Sequence, residues 1–500
     1  MTNRDLVLDT LEQLGPILSS LLSQELQHKH NLSSVAARKR IERAKNERLI
    51  LALEDVRFKH NEQFVYTPAQ RESTTFLPAL IQAFDDSHSP FRFAFQGLLA
   101  RGGLVPKNLF ASISGHPLES RKHQTAGDAL DALMHWGLLE QVETRVGTCI
   151  RLSSDLAAKH VSPKRLAARL SAENILLLAL RDWLRLQGLI TANKASVRGE
   201  HTPQFGLFQW DFVAPSYVNP ISNQFSREPG FVVADVILGR KLTKGDVQYF
   251  LHKCKIARVN SDNKGFLAWL IADWFEKDAL ILGRQYGYVF TTPKNLFGAG
   301  VATMLDTIVQ ALESKQELHL STRDVWGSIF EAVKAIKHLE VAHSELKSIL
   351  LELITGTCIA WNYTHGKTEY AQLIRDPKTS RYFEADVVFL QPDERVVVAE
   401  CKHTKDWIDV TVLKTWFLES VPAIQNFYLA DRWYSSAKYE FSFWTSGRLT
   451  PAARRFAESL HSDDRRFYIR DRDDIAKLLK KQCQVELSKI FDQCFALTDD

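Results

Sequence analysis

Two β-rich runs late in the chain, Ala385–Leu390 and Val396–Lys402, limit its folding choices more than anything else in the sequence. They flank Gln-Pro-Asp-Glu-Arg, five residues of turn chemistry, so the spacing predicts a β-hairpin. Side chains alternate across a strand, and here both faces are apolar. Val387, Phe389, Val397, Ala399 and Cys401 fall on one face, and Val388, Leu390, Val396 and Val398 on the other. Such a hairpin has to be covered on both sides, as in the central strands of a helix-flanked sheet. With a five-residue loop, Leu390 faces Val396, Val388 faces Val398 and Asp386 faces Glu400, their Cβ atoms roughly 5 Å apart. Lys402 projects from the same face, two residues beyond Glu400. Two opposed carboxylates repel and need compensation. A hard divalent cation with oxygen ligands supplies it, and magnesium is the usual choice beside phosphates. Lys402 then orients or helps deprotonate a water and offsets charge on a phosphate. The plainer alternative is a Glu400–Lys402 salt bridge on a strand edge, which leaves three charges on an otherwise apolar hairpin unexplained.

The rest of the chain must be read as several domains, because 500 residues are too many for one core; three or four are expected. An apolar fraction of 45% with 24% charged residues excludes wholesale disorder. No run of 18 apolar residues exists, and Met-Thr-Asn-Arg-Asp-Leu lacks the layout of an export signal. The six cysteines are scattered with no CxxC pair, which argues against a zinc ribbon or a disulfide scaffold. A cytoplasmic protein without membrane contact is the expectation. The net charge of +4 neither demands nor excludes nucleic acid. The sixteen histidines show no HExxH spacing, and no phosphate-cradling glycine loop follows a strand.

At the N-terminus, Leu6–Leu14 and Ile17–Leu26 carry helical apolar spacing. A third helix follows, with Ser33 or Ser34 as N-cap and Val35, Ala37, Ile41 and Ala44 as its inward face. Extended runs at Leu49–Leu53 and Gln63–Tyr66 complete the layout of a winged helix-turn-helix. The third helix is strongly basic: Arg38, Lys39, Arg40, Arg43, Lys45 and Arg48 stand against Glu42 and Glu47. Arg38, Lys39, Arg40, Arg43 and Lys45 are candidate DNA contacts in a major groove. A protein-docking face is the other reading of such a helix. Residues 74–155 repeat the pattern more weakly, with helices at Phe76–Phe84, Phe91–Leu99 and Ala126–Trp136 and a wing at Leu138–Val142 and Thr148–Leu152. Arg121-Lys122-His123 is its small basic cluster, and this second copy reads as structural.

The residues around the hairpin carry a resemblance. Asp386 followed by Glu400-Cys401-Lys402 resembles the PD-(D/E)xK restriction-endonuclease-like superfamily. Phe443-Trp-Thr-Ser-Gly-Arg-Leu-Thr-Pro-Ala-Ala-Arg-Arg-Phe-Ala457 is similar to the strand–turn–helix after the catalytic motif in Mrr-like enzymes. Phe467-Tyr-Ile-Arg-Asp-Arg-Asp-Asp-Ile-Ala-Lys-Leu-Leu is similar to their last strand and terminal helix, and Leu346-Lys-Ser-Ile-Leu-Leu-Glu-Leu-Ile to their first core helix. The resemblance spans roughly residues 340–482. It implies phosphodiester cleavage with Mg2+ (Mn2+ as substitute) held by Asp386, Glu400 and the backbone carbonyl of Cys401. It makes Glu352 an extra carboxylate near the metal, with Glu345 competing for that role, and makes Asp386, Glu400, Lys402 and Glu352 the catalytic set. One departure is plain: Mrr-like enzymes often carry a glutamine in the next helix, where Trp407–Glu419 offers Lys414.

The same order of elements occurs earlier. Gln209-Trp-Asp-Phe-Val and Phe231-Val-Val-Ala-Asp-Val-Ile-Leu are strands, followed by a helix at Lys244–Ala257. Then come a strand at Phe266–Ala272, a helix at Phe275–Tyr286 and a strand at Tyr288–Thr291. Asp211 then matches Asp386, Asp235 matches Glu400, and Ile237 stands where Lys402 would be, so this copy reads as degenerate and inactive.

The expected protein is a multidomain α+β and α/β chain. A tandem winged-helix arm (1–72 and 73–158) precedes a degenerate (160–315) and an intact (325–500) restriction-endonuclease-like domain, each a mixed central sheet flanked by helices. Its expected function is a Mg2+-dependent DNA endonuclease in restriction or anti-phage defence. The alternatives are a DNA-binding or assembly protein using the same fold as a platform, and a nuclease acting on RNA. The partners are DNA and a second copy or a defence-complex protein. Residues 341–500 hold 22 basic and 24 acidic side chains, so the N-terminal arm has to help in holding DNA.

Overall fold

The β-rich runs collect into two five-stranded mixed sheets, one in each of the two units into which the chain divides. One unit comprises residues 1–166 and 188–291, the other residues 167–187 and 292–500. The protein is thus a multidomain α+β chain. The computed structural model describes residues 3–53, 58, 62–120, 124–144, 146–156, 162–191, 193–199, 201–219, 221–222, 228–259, 265–313, 340–363, 365–460, 466–482 and 484–495. The Arg121–His123 cluster lies outside them.

The first unit opens with α1 (Asn3–Leu14), β1 (Ile17–Leu18), α2 (Ser19–His30), α3 (Ser34–Asn46), β2 (Leu51–Ala52) and β3 (Phe64–Tyr66). Ile17 and Leu18, expected in a helix, instead pair with Val65 and Phe64 as an edge strand. That pairing satisfies backbone groups that a helix could not supply immediately after Gly15, whose φ is +80°. Ser33 caps α3 by accepting the Ala36 N–H. A second segment follows: α4 (Phe76–Asp86), α5 (Phe91–Ala100), β4 (Leu104–Pro106), α6 (Phe110–Ile113), α7 (Ala126–His135), β5 (Leu139–Thr144) and β6 (Gly147–Leu152). Both segments place their last strand in the centre of a three-stranded sheet, in the orders β1-β3-β2 and β4-β6-β5. They share one core, in which Leu18, Phe64 and Tyr66 meet Phe76, Phe84, Leu133 and Ile150.

The first five-stranded sheet contains β7 (Ser196–Val197), β8 (Phe212–Ser216), β9 (Gly230–Leu242), β10 (Phe266–Phe275) and β11 (Val289–Thr291), in the order β11-β10-β9-β8-β7. Helices α8 (Gln248–Val259) and α9 (Lys277–Gln285) connect its parallel strands. The expected start of α9 at Phe275 is corrected, because Phe275 is the last paired residue of β10 and packs, buried, in the sheet core. That core also takes Phe93 and Ala100 from α5, so the second segment and the sheet fold around common apolar side chains.

The second unit carries α10 (Glu340–Trp361), β12 (Lys367–Arg375), β13 (Tyr382–Gln391), β14 (Arg395–Lys402), β15 (Trp407–Ile408), α11 (Val410–Lys414) and α12 (Val421–Leu429). It continues with β16 (Lys438–Thr445), β17 (Arg448–Leu449), α13 (Pro451–Ser459), β18 (Arg466–Arg470), α14 (Arg472–Lys481) and α15 (Val485–Cys494). Its sheet runs β12-β13-β14-β16-β18. The two sheets share a pattern: two antiparallel pairings, then two parallel ones. The helix expected over Trp407–Glu419 starts later, since Trp407 and Ile408 pair with Arg448 and Leu449, and its turns widen to a π-helix over Thr415–Ser420.

The β13–β14 hairpin closes through a shorter loop than the turn residues indicate. Gln391 pairs with Arg395, leaving Pro392, Asp393 and Glu394, with Asp393 at φ +60°. Aspartate tolerates that left-handed geometry better than most residues. The register is unchanged by the tighter loop: Leu390 meets Val396 and Val388 meets Val398. Val387, Val388, Phe389, Val396, Val397, Val398 and Ala399 are all at most 4% exposed. Each large apolar side chain buried in this way contributes about 1.5–3 kcal/mol, enough to offset polar groups held at the hairpin's open end.

Candidate active site

The last pairing between β13 and β14 is Val387 with Ala399, and one further step sets Asp386 opposite Glu400. Asp386 is fixed by the backbone: its Oδ2 accepts the Cys401 N–H at 2.6 Å. Lys402 ends β14, paired with Thr445 of β16, whose hydroxyl donates to the Lys402 carbonyl at 2.9 Å. The Lys402 side chain is exposed while Asp386 and Glu400 are half-buried, so the lysine stands at the rim and the acids beneath it.

Glu352 comes from α10, which packs on β12, β13 and β14. Gly356, one turn further, allows the close approach. A Cβ there would lie 2.4 Å from the Tyr370 hydroxyl oxygen of β12. Burial, and then Asp386, Glu384, Glu345 and Glu400, hold the Glu352 carboxyl well above the usual range. Burial pushes Asp386 up to about 7, against the Cys401 N–H and with Glu384 adding repulsion, while Lys402 pulls it down. Burial, Asp386 and Glu384 push Glu400 up to about 9, again against Lys402. The sheet and α10 therefore gather Asp386, Glu400, Lys402 and Glu352, and Glu345 adds a repulsion on Glu352 that ranks ahead of that of Glu400. Glu384 was missed in the sequence, although alternation puts it on the face of Asp386 two residues away. Tyr370 was missed as well, and no spacing rule points to it.

None of the three carboxylates, Glu352, Asp386 or Glu400, makes an ion pair among the described residues. Nor, among the described residues, does any group of three or more His, Cys, Asp or Glu side chains stand so that it could hold a metal ion.

The earlier sheet treats its acids differently. The register Phe212 with Ala234 sets Asp211 opposite Asp235 one step on. Ile237 is fully buried. The strand position of Lys402 is held by that isoleucine, and α8 brings a lysine to the acids from elsewhere: Lys253 Nζ lies 2.8 Å from Asp235 Oδ2. Helix α8 passes over that acid, and a lysine stem is long enough to reach it.

On α3, Ala37, Ile41 and Ala44 are buried, as their spacing requires. Val35 is not: it is 64% exposed, because two residues from Ala37 is about 200° around the helix. Arg38, Lys39 and Arg43 are exposed, while Arg40 and Lys45 are half-buried. Lys45 is already engaged, 2.7 Å from Glu42 and donating to Gln63 Oε1 at 2.6 Å.

No protein-family model matches the chain. No curated protein matches it either. Among solved structures it is similar to the restriction endonuclease FokI bound to DNA, at 11% identity over 55% of this chain and 58% of that chain, with a TM-score of 0.16. The match spans less than two thirds of that chain, and a likeness so slight carries no argument. No helix among the described residues is long and apolar enough to cross a membrane.

Proposed function

We propose that the protein is a divalent-metal-dependent DNA endonuclease whose centre is Asp386, Glu400 and Lys402, with Glu352 beside it. The observation that carries this reading is a contrast within one chain. In the first unit the opposed acids are neutralised by protein cations. In the second they are left without ion pairs under an exposed lysine and are pushed up by burial first, with Glu384 adding repulsion at both and Asp386 at Glu400. Holding acids in that state is costly unless something positive joins them. The donor set fits a hard cation: Asp386, Glu400 and the Cys401 carbonyl would hold it, with Glu352 nearby. Magnesium commonly takes only one or two carboxylates and completes its shell from phosphates and water. When bound, the ion supplies Lewis-acid polarisation of the phosphate. The chain's own groups do the rest. Lys402 points a water or phosphate oxygen toward the acids, and the Cys401 N–H fixes Asp386 as an acceptor. A restriction or anti-phage setting follows from the Mrr-like resemblance. Supercoiled plasmid should be cut with magnesium, and not with EDTA or by Asp386→Ala. Binding without cutting under all conditions would favour a platform role, and cutting of RNA alone would change the substrate.

The raised carboxyls make a prediction about stability. Their folded-state values lie above those of the unfolded chain, near 4. The stability they contribute is therefore fully present below about pH 4 and is lost as pH rises through about 7 (Asp386) and about 9 (Glu400). Thermal melts without metal should fall over this window more steeply in wild type than in Asp386→Asn/Glu400→Gln. Magnesium should restore the wild type at pH 8.5 and do little at pH 5. Parallel curves for the two proteins would contradict the gathering of acids.

The exposed arginines of α3 serve as phosphate contacts in this reading. Replacing Arg38 and Arg43 by Glu should weaken DNA binding and flatten log Kd against log salt by roughly 1.8, about 0.9 per lost phosphate contact. An unchanged slope would make α3 a protein-docking face.

A further inference from the structure

The polar cluster buried in the first unit repeats the candidate active site with protein cations inside it. In each sheet the residue after the second acid donates its backbone N–H to the first acid. Cys401 does so to Asp386 at 2.6 Å, and Val236 to Asp211 at 2.9 Å. The two acid pairs are thus equivalent in backbone geometry as well as in cross-strand register. What faces them differs. Arg101 Nη2 lies 2.8 Å from Asp211 Oδ2, and Arg198 Nη1 lies 3.0 Å from Asp211 Oδ1. Lys253 Nζ donates to both Asp235 oxygens, at 3.0 and 2.8 Å, and to the Ser112 carbonyl at 3.0 Å. It also sits 3.8 Å from the centre of the Trp210 ring. All five charged side chains are at most 7% exposed.

The origin of these groups matters as much as their charge. Arg101 follows α5 directly and Ser112 lies in α6, so both belong to the second helix–wing segment. Arg101 and Asp211 are 110 residues apart in sequence. Arg240 of β9 adds a bond to the Leu99 carbonyl of α5. Every polar tie between this segment and the acid pair therefore needs both sides in place.

We infer that this cluster is a cation-substituted counterpart of the second unit's centre, in which Arg101, Arg198 and Lys253 take the place of a metal ion and the acid pair latches the second helix–wing segment to the first sheet; the inference rests on reading Asp386 and Glu400 as a cation site. Three buried cations repel a divalent ion strongly at low dielectric, so the first unit holds itself together without metal. The exchange is also self-consistent, since an acid pair stripped of its cations leaves uncompensated buried charge.

The experiment counts bound Mn2+ on the full chain by electron paramagnetic resonance, in an Asp386→Ala background. Adding Arg101→Ala, Arg198→Ala and Lys253→Ala should gain one Mn2+ per chain, because Asp211 then lacks its guanidiniums and Asp235 its ammonium. The gain is read as a difference between two proteins. Mn2+ retained by the Asp386→Ala chain alone would therefore count against the proposed active site and not against the latch. No gain in a variant that melts cooperatively overturns the inference. If that variant does not fold, pairwise removal decides. Lys253→Met should lower the melting temperature by about 10 °C, and adding Asp235→Asn should recover most of the loss. A Lys253→Met protein that melts like wild type, or a double variant as damaged as the two singles summed, overturns it too.

Discussion

Lys402→Ala is expected to lower plasmid cleavage by roughly 10²- to 10⁴-fold, the range that a positioned proton-transfer group contributes. The fold should not change, because the Lys402 side chain is exposed and its structural tie is the backbone pairing with Thr445, which alanine keeps. Mn2+ binding should survive, since the ligands are carboxylates and a carbonyl. It should even tighten slightly, because a positive charge that pulls Asp386 and Glu400 down is gone. Lys402→Arg separates two roles. Arginine keeps the charge but does not deprotonate, so partial activity would assign Lys402 to charge compensation, and none to proton transfer or strict positioning. Robust cleavage by Lys402→Ala in a metal-dependent assay would place the active centre elsewhere in the chain.

Asp235→Ala should do the opposite: spare the chemistry and damage the fold. Lys253 is fully buried and would keep only the Ser112 carbonyl as a polar partner from this cluster. Breaking a buried pair from one side costs about 3–5 kcal/mol, which in a unit of this size lowers the melting temperature by roughly 10 °C. Removing both charges, as in Asp235→Leu/Lys253→Met, should return most of the loss, since an apolar pair in such a place is often neutral or stabilising. Cleavage per folded molecule should stay near wild type in both proteins. Calorimetry with parallel plasmid assays checks this, and a well-folded Asp235→Ala that cannot cut would mean that the wrong acid pair has been assigned the chemistry.

What the sequence determined by itself lies where interactions are local or periodic. The hairpin from Tyr382 to Lys402 was legible because alternation with period two fixes which side chains share a face, and because apolar residues on both faces demand cover on both. The opposition of Asp386 and Glu400 follows from that period and a short loop, and it survived a misjudged loop length because the register stayed centred on the same turn. The basic face of α3 was legible for the same reason, apart from Val35, where two residues of helix rotation were overlooked. Tertiary structure alone decided the partners of each acid pair. No spacing in the chain announces that Arg101 reaches Asp211 across 110 residues, or that Lys253 replaces the strand lysine missing at Ile237. Such contacts depend on how α5 and α8 pack over a sheet, and side chains of four or five bonds reach across that packing with no trace in local periodicity. The same physics divides the two centres: one sheet is covered by elements that carry cations to its acids, and the other by a helix that carries a further acid, Glu352.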